Sequence, residues 1–414
     1  MMRFSLSAVA LAMVGSALAA QTILPPFNAA YSWRSIGSVP GVPSPYGGAT
    51  FKHNDPDVLL IGGAANSLAG AVYEIRVTRD VNGFITGFVG TATQLSTAPN
   101  IDGGLIYGPN NVLFYSAYPI NAVGQIKVGS TVPDRIDSLG TLGWTAASPG
   151  ALTIVPPGYP GAGQLKVCSW SGGSFHSCTL VPDGNGTFSL SGLTPRSTLA
   201  GGPEGLLYPP PGSPAIPDYQ RIMVCDYSGA RIYLSPIDAN GDPTGAAPTE
   251  FMTGISGAEG ATIDARSGSF LFSTYGGGDR IILVDGFGSC GPFVNYGSGI
   301  PGAGNRLPVI RGVGCARIGQ AIAYQVGNGP ANASGALNIG FQQLSIPLFG
   351  GFVLTEPSIP IGHALDGLGA WQVSLNTPPN AVLVGAHVYF QAVYLDLGAP
   401  FSITASDGLD MTIF

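Results

Sequence analysis

The sequence predicts an all-β protein: a five-bladed β-propeller closed by an N-terminal strand, followed by a small β-sandwich. Three observations carry this. Gly (63) and Pro (35) are abundant while charged residues make up only 9%, yet Val, Ile, Leu, Tyr and Phe recur in short runs, the signature of strands joined by tight turns. A motif of a small or acidic residue, then Gly, then an apolar strand recurs five times along the chain. No helical period interrupts the pattern.

Taken in order, the first twenty residues have the layout of a secretory signal. Arg3 gives a positive start, Phe4 to Val14 is apolar but too short to span a membrane, and Ala17-Leu18-Ala19 has the small-x-small cleavage form. The mature chain is expected to begin near Ala20 or Gln21, outside the cell. No later apolar run reaches transmembrane length without interruption, so the mean hydropathy of +0.30 reflects scarce charge.

The repeats occupy residues 21–288. The landmarks are Gly47-Gly48-Ala49, Gly103-Gly104-Leu105, Pro149-Gly150-Ala151, Glu204-Gly205-Leu206 and Glu259-Gly260-Ala261; their second-position glycines lie 56, 46, 55 and 55 residues apart. This spacing fits one four-stranded blade plus loops. A second strand follows each landmark (Val58–Ile61, Val112–Ser116, Gln164–Ser169, Arg221–Asp226, Ser269–Thr274), and then a third. The turn Asp-x-Asn-Gly recurs at Asp80, Asp183 and Asp238, as expected of hairpins, because Asn-Gly accepts positive φ at low cost. Asp238-Ala-Asn240-Gly-Asp242 also has the alternating oxygens that open a calcium loop, but Thr249 stands where the bidentate Glu belongs. The fifth unit stops after three strands. Tyr31 to Ile36 reads as the missing fourth, which closes the ring without a free edge. Six blades is the fallback, by splitting a longer unit.

The landmark strands are expected to line the central channel, which brings Asp102, Glu204 and Glu259 near one mouth. Residues 289–414 form the second domain. It opens on a Gly-rich linker or loop up to Pro308 and continues in period-2 strands, clearest from His387 to Asp396, read as the sandwich.

Five cysteines suit an oxidising compartment. A hairpin centred on Gly173 sets Cys168 opposite Cys178 and Trp170 opposite His176. Cys290 and Cys315 form a second plausible pair, leaving Cys225. No CxxC is present, which argues against a cysteine zinc site. The net charge of −7 and only three lysines exclude a nucleic-acid footprint. No G-x-S-x-G elbow is present, and the glycine strings do not open helices, so no nucleotide cofactor is expected. The four histidines (His53, His176, His363, His387) read as packing residues. Tyr107, Tyr118, Trp144, Tyr159, Tyr208 and Tyr275 fall at strand ends or in loops, where they serve core packing or stack a ring.

Glu204-Gly-Leu-Leu with Ile222-Met-Val-Cys-Asp226 and Arg231-Ile, and Glu259-Gly-Ala-Thr-Ile-Asp264 with Phe270-Leu-Phe and Asp279-Arg280-Ile, resemble blades of the gluconolactonase/regucalcin and NHL propeller group. In its lactonases a Glu, an Asn and an Asp hold a divalent metal, calcium or zinc, that polarises the lactone carbonyl. The resemblance implies Glu259 or Glu204 for the Glu and Asp226 for the Asp. Glu204 stands where an Asn would. The tail, Ala386 to Asp396 and Asp407 to Phe414, looks like tail modules of secreted bacterial proteins. With no catalytic motif, the expected function is a secreted, non-catalytic binding or cell-surface protein that recognises a glycan or protein. The alternative is a metal-dependent lactonase-type hydrolase with Asp102, Glu204, Asp226 and Glu259 around one cation.

Overall fold

In the computed structural model, residues 21–80, 83–210, 213–286, 293–314, 316, 321–378, 380–383 and 386–413 are described. The predicted signal segment and Cys290 and Cys315 lie outside them. The architecture is all-β, in antiparallel sheets mostly of four to six strands.

Five sheets follow one another along the chain. The first runs through Ala49–Lys52, Asp55–Gly63, Ala71–Arg79 and Ile85–Thr97; the second through Ile101–Tyr107, Leu113–Ala117, Ala122–Ile126 and Arg135–Ser138. The third comprises Ala151–Ile154, Leu165–Cys168, Ser174–Pro182 and Phe188–Thr198. The fourth comprises Pro203–Leu207, Arg221–Asp226, Arg231–Pro236 and Thr249–Thr253; the fifth begins with Ala258–Ile263, Phe270–Thr274 and Ile281–Asp285. Its fourth strand is Ser32–Gly37, with Ser32 opposite Asp285 and Gly37 opposite Ile281. The sequence did not announce a second N-terminal contribution: Thr22–Ile23 adds a fifth strand to the fourth sheet beside Thr253 and Met252. Phe27 and Tyr31 then pack on Phe251 at 5.0 and 5.1 Å between ring centres, so burial of aromatic surface holds the chain start in place.

An apolar cluster fills the space between each successive pair of sheets. The same holds between the fifth and the first, where Leu271, Ile281 and Leu283 pack with Phe51, Leu59, Ile61 and Ile75. The first strands are the innermost, and the landmark glycines let them meet. A Cβ on Gly260 would lie 2.6 Å from the Cα of Gly48, and one on Gly104 would lie 2.6 Å from the Leu152 amide. Any side chain there would push neighbouring sheets apart. Ser116 and Ser273 secure the same contacts: each accepts the amide of its own landmark glycine (Gly104 and Gly260) and donates to the carbonyl of the next sheet (Gly150 and Gly47).

Cys225 occupies the equivalent place, with Sγ against the Gly260 carbonyl. Cys168, Cys178 and Cys225 are buried free thiols, which corrects the expected Cys168–Cys178 disulfide. The hairpin turns earlier than predicted: Cys168 faces Phe175 and Leu165 faces Cys178. His176 consequently meets Trp144, at 4.5 Å, and not Trp170.

In the C-terminal part, one sheet orders Phe293–Tyr296, Gly408–Thr412, His387–Leu395, Ser334–Gly340 and Ile359–Ala364, with Ile403–Ala405 on His387–Leu395. A second holds Val309–Val313, Ala321–Gly327 and Trp371–Asn376. Ile310, Ile322 and Tyr324 of the second share one core with Phe293, Leu337, Phe390 and Met411 of the first. The strand Phe293–Tyr296 lies inside the stretch expected to be a linker.

Candidate functional site: three buried carboxylates

Asp102, Glu204 and Glu259 each stand second in an innermost strand, at Ile101–Tyr107, Pro203–Leu207 and Ala258–Ile263. The convergence of those strands therefore brings the three side chains to one place. One carboxylate oxygen from each lies within 4.8 Å of the others. All three residues are buried, at 1%, 6% and 2% exposure. Room for the Glu204 carboxylate comes from Gly150, where any Cβ would collide with it.

The electrostatics are unusual. Both oxygens of Asp102, Oε2 of Glu204 and Oε1 of Glu259 are buried with no hydrogen-bond partner among the described residues. Among the described residues no cationic side chain pairs with them. Burial raises all three pKa values: Asp102 to about 7, with Asn66 and the Gly103 amide close enough to offset part of the effect. Glu204 goes well above its ordinary value through burial and then the neighbouring Asp102 and Glu259. Glu259 follows through burial and then Asp102. Three adjacent anions out of water repel one another and are unsolvated, so the cluster must be neutralised by protons or by a cation.

The donor set fits a hard cation. It is all oxygen, as calcium and magnesium prefer. Two ligands facing each other across calcium at ~2.4 Å stand roughly 4.8 Å apart, and these three atoms lie within that distance of one another. No histidine or cysteine belongs to the group, so zinc fits less well.

Asp226 is not in the group. Its Oδ1 accepts the amides of Gly202 and Gly229, both at 2.9 Å, and its Oδ2 accepts Arg231 Nε at 2.9 Å. It ends a strand and braces the following turn. The Asp-x-Asn-Gly turns are likewise spent on their own backbone: Asp183 accepts the Asn185 amide at 2.8 Å and Asp238 the Asn240 amide at 2.8 Å.

Three aromatic residues form a chain of ring contacts, two of them influenced by the carboxylates. Trp170 and Tyr227 meet edge to face at 6.4 Å, and Tyr227 and Tyr275 at 6.1 Å. Burial and then Glu259 raise the pKa of Tyr227; burial raises that of Tyr275, with Asn66 lowering it and Glu259 raising it. Trp170, Tyr227 and Asn66 were not singled out from the sequence. The signal was present: Tyr118, Trp170, Tyr227 and Tyr275 all stand two residues after a small residue of a second strand (Ser116, Cys168, Cys225, Ser273). Of the other aromatics, Trp144 is core, whereas Tyr107, Tyr159 and Tyr208 line a cavity at the opposite ends of the innermost strands.

No protein-family model and no curated protein matches this chain. Similar solved structures include the PQQ-bound aldose sugar dehydrogenase of Streptomyces coelicolor, 14% identical over 60% of this chain and 83% of that one, TM-score 0.32. A streptogramin B lyase is 14% identical over 62% and 97%, TM-score 0.29. A catalytically inactive virginiamycin B lyase of Staphylococcus aureus with quinupristin is 13% identical over 92% and 100%, TM-score 0.32. The three buried carboxylates correct the expectation of a non-catalytic binding scaffold. A scaffold that presents loops has no use for three unpaired carboxylates buried together, a costly arrangement whose natural role is to hold a cation or exchange protons.

Proposed function

We propose that this chain is a metal-dependent hydrolase of the lactonase type, with one divalent cation, calcium first, held by Asp102, Glu204 and Glu259. The observation that carries the reading is the set of four buried carboxylate oxygens without hydrogen-bond partners. When bound, the cation would polarise a carbonyl and acidify a water. The residues do the rest. The three carboxylates fix the cation, the landmark glycines keep their strands in contact, and Trp170, Tyr227 and Tyr275 form an apolar rim against which a ring-shaped substrate can rest.

In this reading the five sheets are the blades of a propeller closed by Ser32–Gly37, spanning residues 21–288, and residues 289–414 form a β-sandwich. The chain is exported through residues 1–20 and acts outside the cell; among the described residues no helix is long and apolar enough to cross a membrane.

The test is hydrolysis of a panel of five- and six-membered lactones by protein loaded with calcium. Activity that EDTA removes, calcium restores, and Glu204→Gln and Glu259→Gln both abolish is the expected result. Turnover unaffected by either substitution would remove the mechanism.

A further inference from the structure

A cavity of about 310 Å³ lies at the other ends of the innermost strands. Its ring side is formed by Ile106, Ile154 and Leu206, where those strands finish, and its floor by Val326 and Leu368 of the C-terminal part. The volume is that of a small-molecule pocket. The carboxylates stand at the beginnings of the same strands, so this is a separate place in the molecule.

The lining has one distinctive chemical feature. Its polar groups are mostly spent on one another. Tyr159 donates to the Pro209 carbonyl and Tyr208 to the Gly241 carbonyl, so both present ring faces to the cavity. Gln325 donates to Gln372 at 2.8 Å, and Gln372 donates to Tyr219 at 3.1 Å. Asp366, the single carboxylate on the lining, accepts the Leu368 and Ala370 amides of its own turn.

Arg311 is the exception. Its guanidinium donates one hydrogen bond, from Nη2 to the His53 carbonyl, and has no ion-pair partner among the described residues. Asp407 stabilises its charge only from beyond ion-pair distance, being engaged with the Ile310 amide and Asn295. A guanidinium carries five donors in a fork matched to a carboxylate. Leaving most of them unpaired beside an apolar chamber costs free energy that an anion would recover.

We propose that this cavity binds a small organic acid, with its carboxylate on Arg311 and its apolar body against Ile154, Leu206 and the tyrosine rings. The site joins the two parts of the chain, because Arg311 comes from the C-terminal sheets and the apolar wall from the innermost strands.

The test uses the full-length mature chain and 8-anilinonaphthalene-1-sulfonate, an anion with an apolar body, followed by fluorescence. One saturable site is expected, displaced by decanoate and not by decanol. Arg311→Gln should weaken the sulfonate probe by about tenfold or more, the usual size of a charge-assisted contact. The same variant should leave the neutral N-phenyl-1-naphthylamine within about twofold. Ile154→Trp fills the chamber and should block both probes. If Arg311→Gln does not fold, the decanoate and decanol comparison on the unaltered chain still decides. Equal displacement by acid and alcohol, no saturable site, or an Arg311→Gln variant that binds the sulfonate normally would overturn the proposal.

Discussion

Two kinds of buried charged cluster sit among the five sheets, and they are built on opposite terms. Around Lys166 the charges are paired, with Arg196 Nε also 3.6 Å from Asp242 Oδ2. The ammonium donates to Asp242 Oδ1 at 2.5 Å, Ser177 Oγ at 2.7 Å, Gln164 Oε1 at 2.8 Å and the Asn240 carbonyl at 3.0 Å. This network ties the third sheet to the loop between the third and fourth strands of the fourth. Arg79 does the same between the first and fifth sheets, with a two-pronged grip on Asp264 at 2.6 and 2.9 Å and a bond to Asp57. At Asp102, Glu204 and Glu259 three carboxylates share one pocket, and four of their oxygens have no hydrogen-bond partner among the described residues. Buried charge that stabilises a fold is paired, and buried charge left unpaired is held for something that arrives later.

Breaking the matched cluster should give the largest effect. Lys166→Met leaves the buried Asp242 carboxylate with only the half-exposed Arg196 at 3.6 Å, and a loss of about 3 kcal/mol is expected, read as a lower midpoint in urea unfolding. A loss below about 1 kcal/mol would mean that the network contributes little. The unmatched cluster should respond in the reverse sense to a ligand. Calcium at roughly a hundred times its dissociation constant should add about 2.7 kcal/mol to the unaltered chain and nothing to Glu204→Gln.

The pH dependence sharpens the contrast. The three folded-state carboxyl pKa values are raised, so in metal-free protein the folded chain holds protons that the unfolded chain releases near its ordinary carboxylate range, about pH 4. The cluster's contribution to the stability of the chelated protein is therefore fully present at low pH and is lost as pH rises from about 4 through the Asp102 value of about 7. Glu259→Gln should flatten that decline and make the chelated protein more stable than the parent at pH 8. Thermal midpoints across this range check both statements, and a chelated parent that gains stability up to pH 8 would contradict them.

Much of this was legible in the sequence, and the reasons are specific. The landmark glycines were visible because their job, close approach of strands, admits no other residue. Glu204 and Glu259 stand directly before such glycines and Asp102 two before, so the strand pattern located the cluster. Asp226 was misplaced because an Asp at a strand end looks alike whether it binds a metal or braces a turn; only its two amides and Arg231 distinguish them. The Cys168–Cys178 pairing failed because a hairpin turning one or two residues earlier changes every partner. In the C-terminal part, Gln343–Leu348 and Ile359–Ala364 are largely exposed strands whose weak alternation gave no period to read.

The smallest expected effect concerns the inner joints of the ring. Cys225 stands where Ser116 and Ser273 carry a hydroxyl between neighbouring sheets. Cys225→Ser should accept the Gly205 amide and donate to the Gly260 carbonyl, with stability changed by less than about 1 kcal/mol. A larger loss in urea unfolding would show that the fourth sheet meets the fifth differently from the other joints.

The central claim is that the unmatched carboxylates await one cation. The direct measurement is calorimetric titration of calcium into EDTA-stripped protein at pH 7, repeated in buffers of different ionisation enthalpy. The account predicts one calcium per chain with release of protons, because a cation replaces the protons that neutralise the cluster, and loss of binding in Glu259→Gln. No binding at calcium of roughly 10 mM, well beyond the weak end of extracellular calcium sites, or binding unchanged in Glu259→Gln, would contradict it.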